Sequence, residues 1–387
     1  MINAFSFNTS NRIVFENGSA CALADHAGHL LGERPFVVTD EGIVAAGLID
    51  QPLGFVTESG RQIAVFDRVT ADPAVSVIMA ACDAAKAHAP SSIIGFGGGS
   101  SLDVAKLVAL LCKSHERLDD IWGIGNVAGD RLPLVLVPTT AGTGSEVTPI
   151  SIVTVGADEK RGVVSPVLLP DLALLDPSLT FGLPAHVTAA TGVDAMVHAI
   201  EAYSSRSANN NPVSRALAVE ALKLLGGSIE TAVYTPTDLD ARGAMLLGSM
   251  LAGMAFANSP VAAVHALAYP IGGTFHVPHG LSNALVLPHV LKFNAPAAHQ
   301  PYSDMAPHVF PELAETVDTE QRAIAFAEHL QDLTRKLGLR TRLTDVGITA
   351  SDLPKMARDA MKQTRLLVNN PRNLSEADAL AIYQAAL

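Results

Sequence analysis

The sequence predicts a two-part protein: an α/β domain with a parallel sheet over residues 1–182, then an all-α domain over 183–387. Three observations carry that expectation. The chain has 387 residues, more than one ordinary core accommodates. Its first half alternates short β-branched apolar runs with helix-like stretches, the pattern of a parallel sheet covered by helices on both faces. Beyond residue 181 strand signals stop, and Ala/Leu-rich helical patterns fill the chain to Leu387.

Taken in order, "PFVVTD" (35–40) reads as a buried strand ending in Thr39 and Asp40, and "GFVTESG" (54–60) and "QIAVFDRV" (62–69) as further strands. The stretch 72–89 reads as a helix with Asp72 as N-cap and Pro73 in its first turn. "SSIIGFGGGS" (91–100) is a strand entering a glycine turn, and "SLDVAKLVALLCKS" continues as a helix. "LPLVLVPTTAGTGSE" (132–146) is a strand running into a Thr/Gly loop, and "DPSLTFGLP" reads as the interdomain link. Helix breaks are expected at "NNNP", "TPTD", "NSP" and "NNPRN".

Composition narrows the class. Hydrophobic residues make up 49% and charged residues 17% of the chain, which indicates a well-buried globular protein. The formal net charge of −12, with no Lys/Arg-rich run, argues against nucleic-acid and anionic-membrane partners. No apolar run is long enough to span a bilayer. The N-terminus lacks a basic start followed by an apolar core, so no signal peptide is expected. Cys21, Cys82 and Cys112 are scattered without CxxC spacing, which suggests reduced thiols and a cytoplasmic setting.

Two constellations carry chemistry. In "IIGFGGGSSLDVAK", Gly97, Gly98 and Gly99 allow close backbone approach of a ligand at a helix N-terminus, a setting suited to a pyrophosphate. Without a ligand the same residues make a tight strand-to-helix turn. Asp40 at an early strand end is placed to accept from a ribose 2′-hydroxyl and to repel a 2′-phosphate, although a plain turn role fits it equally. "PTTAGTGSE" adds the hydroxyls of Thr139, Thr140, Thr143 and Ser145. Asp103 reads as a cap or anchor of its own helix, with contact to the ligand as the alternative. Together these stretches point to a Rossmann-like domain for a nicotinamide dinucleotide, with Asp40 favouring NAD over NADP.

The second constellation begins with Asp194 and His198, four apart and so on one face of a helix. Such a pair is either a buried hydrogen bond or half of a metal site. "VHALAYPIGGTFHVPHG" (264–280) supplies His265 and His279, with glycines expected to turn the chain between them. One carboxylate and three imidazoles suit a divalent first-row ion such as Fe²⁺ or Zn²⁺. His276 is the rival for ligation, or a neighbour of the ligands.

These motifs, in this order and with the late "NNPRN", resemble the iron-containing (group III) alcohol dehydrogenase family over essentially the whole chain. The resemblance implies an NAD(P)-binding N-terminal domain and a helical domain holding one catalytic iron, sometimes zinc, on Asp194, His198, His265 and His279. It matches Gly97, Gly98, Gly99 and Ser100 to the pyrophosphate loop, and Thr139, Thr140, Thr143 and Ser145 to the dinucleotide-facing loop. Lys160 and Leu179 match positions that approach the cofactor, and Phe256 a wall of the substrate pocket. The implied partners are a small alcohol or aldehyde and further copies of the chain, as a homodimer or higher homo-oligomer.

One position departs from the pattern. Many members carry a proton-relaying histidine where this chain has Tyr269, and a phenol is the poorer shuttle at neutral pH. Tyr269 and His276 are therefore the candidate relays. Some relatives with tyrosine here move hydride between hydroxy acids and keto acids, so a hydroxyacid dehydrogenase or transhydrogenase is the alternative. Maleylacetate-reductase-like and glycerol-dehydrogenase-like enzymes share the architecture. A non-catalytic NAD-binding relative would be expected to lack one of the four ligands, and all four are present.

Overall fold

The computed structural model describes residues 4–156 and 159–387. The chain forms two compact units, residues 8–182 and, from Leu183 onward, the helical remainder. Residues 4–7 belong with the helical unit and not with the sheet, because the Asn209 side chain accepts from the Ser6 N–H and donates to its carbonyl.

In the first unit the strands are β1 (Ile13–Phe15), β2 (Pro35–Val38), β3 (Ala64–Phe66), β4 (Ser92–Gly97), β5 (Gly123–Ile124), β6 (Leu134–Pro138), β7 (Ile150–Val155), β8 (Glu159–Val164) and β9 (Leu172–Leu175). Six of them make one all-parallel sheet in the order β1-β9-β6-β4-β2-β3. β2, β4, β6 and β9 are buried along their whole length, which is why they read as continuous apolar runs and not as alternating ones. The helices over the sheet are α1 (Leu23–Leu31), α2 (Glu41–Ala45), α3 (Asp50–Glu58), α4 (Val75–His88) and α5 (Gly99–Lys113). From β2 the chain steps outward to β3, then returns to β4 on the other side of β2 and continues to β6 and β9. The order therefore reverses between β2 and β4, the place where open α/β sheets bind ligands.

Two expectations need correction. "GFVTESG" is helical, within α3: Pro52, Leu53 and Val56 recur at helical spacing and bury together, so packing overrides the β-branched local signal. Helix α4 starts at Val75 without a side-chain cap, and Asp72 lies outside it at φ 54°, paired to Lys160. The sequence reading also passed over a second sheet, β5-β8-β7, in which β7 and β8 pair antiparallel.

The second unit contains α6 (Ala185–Ser204), α7 (Pro212–Tyr234), α8 (Leu239–Asn258), α9 (Ala263–Phe275), α10 (His279–Val309), α11 (Thr319–Lys336), α12 (Leu353–Ala360), α13 (Thr364–Leu367) and α14 (Glu376–Ala386). Helix α6 lies at its centre, packed on α7, α8 and α10, and is buried almost continuously from Thr188 to Ala202. That explains its mostly apolar sequence and makes its polar residues conspicuous. Among the described residues no single helix is long and apolar enough to cross a membrane.

Candidate active site

The polar residues of α6 face one point. Asp194, His198 and Glu201 fall one and two helical turns apart, and all three are at least 95% buried. Helix α9 brings His265 to them and α10 contributes His279, its first residue. The ligand-capable atoms of Asp194, His198, His265 and His279 lie within 4.8 Å of one another. His279 Nε2 is 3.7 Å and His265 Nε2 3.9 Å from Asp194 Oδ1. Donors on one tetrahedral ion stand about 3.4 Å apart, so a small contraction would close the set around a metal.

The hydrogen bonds fit that reading. Glu201 is engaged by N–H donors. Its Oε1 accepts from the Val264 N–H at 2.7 Å, and its Oε2 accepts from the Ala262 N–H at 2.9 Å and from His265 Nδ1 at 2.7 Å. Because a carboxylate only accepts, His265 carries its proton on Nδ1, and its Nε2 presents a lone pair to the cluster. That Nε2 is buried and has no hydrogen-bond partner. An orphaned acceptor among a carboxylate and two further imidazoles is what a divalent cation would satisfy.

Asn283, one turn after His279, donates from Nδ2 to Asp194 Oδ1 at 2.6 Å and lies 3.3 Å from His279 Nε2. Burial opposes ionisation of Asp194. Positive charge on the imidazoles of His279, His198 and His265 when they are protonated, together with the Asn283 amide, outweighs it and holds the carboxyl below the usual range. The sequence reading missed both supporting residues, although Glu201 repeats the Asp194 position one heptad on and Asn283 that of His279 one turn on.

The glycines of the histidine-rich stretch act differently from expectation. Gly272 and Gly273 are inside α9, and the chain reverses at His276, which caps that helix in the left-handed conformation at φ 55°. His276 is exposed and outside the four-residue cluster, so a ligand role is set aside. Gly280 matters for approach: a Cβ there would overlap the Ala190 carbonyl oxygen and lie 3.3 Å from Asp194 Cβ. Without that glycine α10 could not deliver His279 to α6. Phe256 stacks on His198 with ring centres 4.3 Å apart, and the Tyr269 ring centre is 6.3 Å from that of His279.

In the first unit Asp40, the glycine turn and the Thr/Gly loop leave the carboxyl ends of the neighbouring strands β2, β4 and β6. Gly97 has φ 148°, a conformation that L side chains rarely adopt. Gly98 precedes α5, and Gly99 and Ser100 form its first turn, whose N–H groups have no acceptor within the helix. Thr143 packs where a Cβ on Gly99 would stand, and Thr140 lies beside Gly98. Thr139 is buried with its hydroxyl unpartnered. Asp40 caps α2 by accepting from the Ile43 N–H, and it also accepts from Ser101 Oγ at 3.3 Å beside Gly97.

Three residues matched to cofactor-facing positions have side-chain partners within the unit. Ser145 Oγ donates to Asp103 at 2.6 Å and accepts from Lys106 Nζ at 2.7 Å, so its hydroxyl fastens the loop to α5. Lys160 pairs with Asp72 at 2.7 Å and donates to Thr154. Leu179 belongs to the apolar cluster beneath one face of the sheet, with Phe96, Val135 and Val137. Lys106 itself is fully buried and also donates to the Ile150 carbonyl at 2.7 Å.

Comparison with known proteins agrees with this geometry. Residues 10–177 match the family model described as iron-containing alcohol dehydrogenase, and 188–387 match the C-terminal model of the Fe-containing alcohol dehydrogenase family. The chain belongs to the iron-containing alcohol dehydrogenase family. A long-chain-alcohol dehydrogenase of Geobacillus thermodenitrificans is 38% identical over 378 residues, covering 95% of this chain and 93% of the relative. The crystal structure of a 1,3-propanediol oxidoreductase superposes with TM-score 0.94 at 33% identity, covering 99% of this chain and 100% of the other. A sulfoacetaldehyde reductase of Bifidobacterium kashiwanohense, solved in complex with NAD⁺, gives TM-score 0.87 at 28% identity, covering 99% and 98%. As a member of this family the chain is an oxidoreductase, and the two constellations fall one in each matched region.

Proposed function

We propose that the protein is an NAD-linked, iron-preferring dehydrogenase that interconverts a small alcohol and its aldehyde or ketone. The observation that carries the metal part is the buried, unpartnered Nε2 of His265 among Asp194, His198 and His279. These four residues would hold the ion, with Glu201 and Asn283 orienting His265 and Asp194. A divalent ion held there supplies Lewis acidity toward a substrate oxygen, and a nicotinamide dinucleotide supplies or accepts the hydride.

The chain's own residues provide the rest. The N–H groups of Gly99 and Ser100 and the unpartnered hydroxyl of Thr139 are available to a pyrophosphate, and Asp40 to a ribose. Phe256 shields the His198 side of the cluster with an apolar ring. Tyr269 lies at the edge of the cluster, its ring centre 6.3 Å from that of His279. The NAD⁺ complex of the sulfoacetaldehyde reductase supports the cofactor assignment, and the names of the relatives support the alcohol–carbonyl chemistry.

The test is a turnover screen of protein loaded with Fe²⁺ or with Zn²⁺, using NAD⁺ and NADP⁺ over short alcohols, diols and hydroxy acids. NAD⁺-dependent oxidation, faster with Fe²⁺, is the expected result. Absence of nicotinamide reduction across the panel with either metal would contradict the reading.

A further inference from the structure

The place where a relay histidine was expected holds a pair of residues. Tyr269 lies one helical turn after His265 on α9, and its phenolic oxygen accepts a hydrogen bond from Arg365 Nη2 at 3.3 Å. Arg365 sits on the single-turn helix α13, which packs against α9. A cation is thereby held one tyrosine ring away from a residue of the metal cluster.

The guanidinium has no carboxylate partner among the described residues, and its side-chain hydrogen bond goes to a neutral hydroxyl. A guanidinium offers five N–H donors in a planar fork. The phenol takes one of them, and the others stay at an exposed position. An exposed arginine held by one neutral hydroxyl adds little stability, so packing gives a weak account of it. The chain's net charge of −12 repels small anions, so a site that accepts one needs a local cation.

We infer that Arg365 and the Tyr269 hydroxyl form an anion subsite, selecting a short aldehyde or alcohol that carries a carboxylate or sulfonate at the end remote from the reacting carbon. This rests on the dehydrogenase reading and deepens it. The fork of Arg365 matches two anion oxygens, and the phenolic O–H, whose oxygen already accepts from Arg365, is free to donate to a third. The reacting end then lies toward His279 and the apolar face of Phe256.

The test compares matched substrates in the metal-loaded enzyme with NADH: 4-oxobutanoate against its methyl ester, and sulfoacetaldehyde against butanal. For the wild type, kcat/KM is expected to favour the anionic member of a pair by at least tenfold, and added salt is expected to weaken that preference. In Arg365→Ala the preference should fall by tenfold or more, mainly through KM, and Arg365→Lys should restore part of it. The pair with the larger wild-type ratio tells carboxylate from sulfonate. A ratio unchanged by Arg365→Ala, or a wild type that favours the neutral members, would overturn the inference and leave the dehydrogenase reading standing. If no aldehyde is reduced, it is the dehydrogenase reading that fails. Calorimetric titration of propionate and of ethanesulfonate into the NAD⁺-loaded protein then decides the anion site alone: binding that Arg365→Ala abolishes upholds it, and equal or absent binding overturns it.

Discussion

The two candidate regions treat their polar groups in opposite ways. Around Lys106 in the sheet unit, the ammonium binds Ser145, Asp103 and the Ile150 carbonyl, and Asp103 also binds Ser145 and the Ile152 N–H. Around Asp194 in the helical unit, side chains are oriented from behind by Glu201 and Asn283, while the buried His265 Nε2 faces the cluster without a hydrogen-bond partner. The first arrangement is a scaffold, which fixes loops so that backbone N–H groups and shape do the recognising. The second is the arrangement we propose as a coordination site, where the side chains themselves would be the recognising groups. Substitutions should separate the two: changes at the cluster strike metal and turnover together, and changes at the loops strike cofactor choice or stability.

The largest effect is expected from His265→Ala. Loss of the orphaned ligand should lower kcat on the order of 10³-fold and reduce metal content, read by emission spectroscopy, well below one ion per chain. Glu201→Gln tests the support behind that ligand. An amide cannot accept all three N–H bonds that Glu201 takes, so metal affinity measured against a competing chelator should fall about 10- to 100-fold. Unchanged affinity would reduce Glu201 to a cap for the start of α9.

Gly280→Ala probes the approach of α10 to α6 without touching a ligand. A methyl against the Ala190 carbonyl should destabilise the chain by about 1–3 kcal/mol and weaken metal binding as well, both readable by calorimetry with and without ion. On the loop side, Asp40→Ala should narrow the preference for NAD⁺ over NADP⁺ about tenfold, roughly 1.4 kcal/mol, because a carboxylate no longer opposes the 2′-phosphate.

Glu146 predicts a pH-dependent effect on stability. Burial pushes its carboxyl up to about 7, against the opposing pull of its own backbone N–H and of Lys106. In the unfolded chain the group ionises near pH 4.5, so between that pH and about 7 the folded state binds more protons and stability falls as pH rises. The change over that window amounts to about 3 kcal/mol at most. Glu146→Gln should flatten the rise in melting temperature between pH 8 and pH 5, and an unchanged profile would show that the group is ionised in the folded protein.

Legibility in the sequence followed how local the physics was. The buried parallel strands, the glycine turn and the Asp194–His198 pair were readable because periodicity and residue chemistry act within a few positions. Helix α3 was misread because "GFVTESG" is β-branched locally, while the burial of Pro52, Leu53 and Val56 is tertiary. The role of Ser145 depends on Asp103, 42 residues earlier, and no spacing rule points to it. Glu201 and Asn283 were within reach, since each repeats a ligand's position on its own helix. Arg365 was not, because only the packing of α13 on α9 brings it to Tyr269.

The central claim, that the cluster of Asp194, His198, His265 and His279 is a coordination site required for turnover, is tested most directly by one titration. Chelator-stripped protein is titrated anaerobically with Fe²⁺ while bound metal and NAD⁺-dependent alcohol oxidation are followed together, for the wild type and for His265→Ala. The expected result is one ion per wild-type chain, with activity rising in step with occupancy, and neither in the variant. Full activity in the stripped protein, or undiminished binding in His265→Ala, would contradict the account.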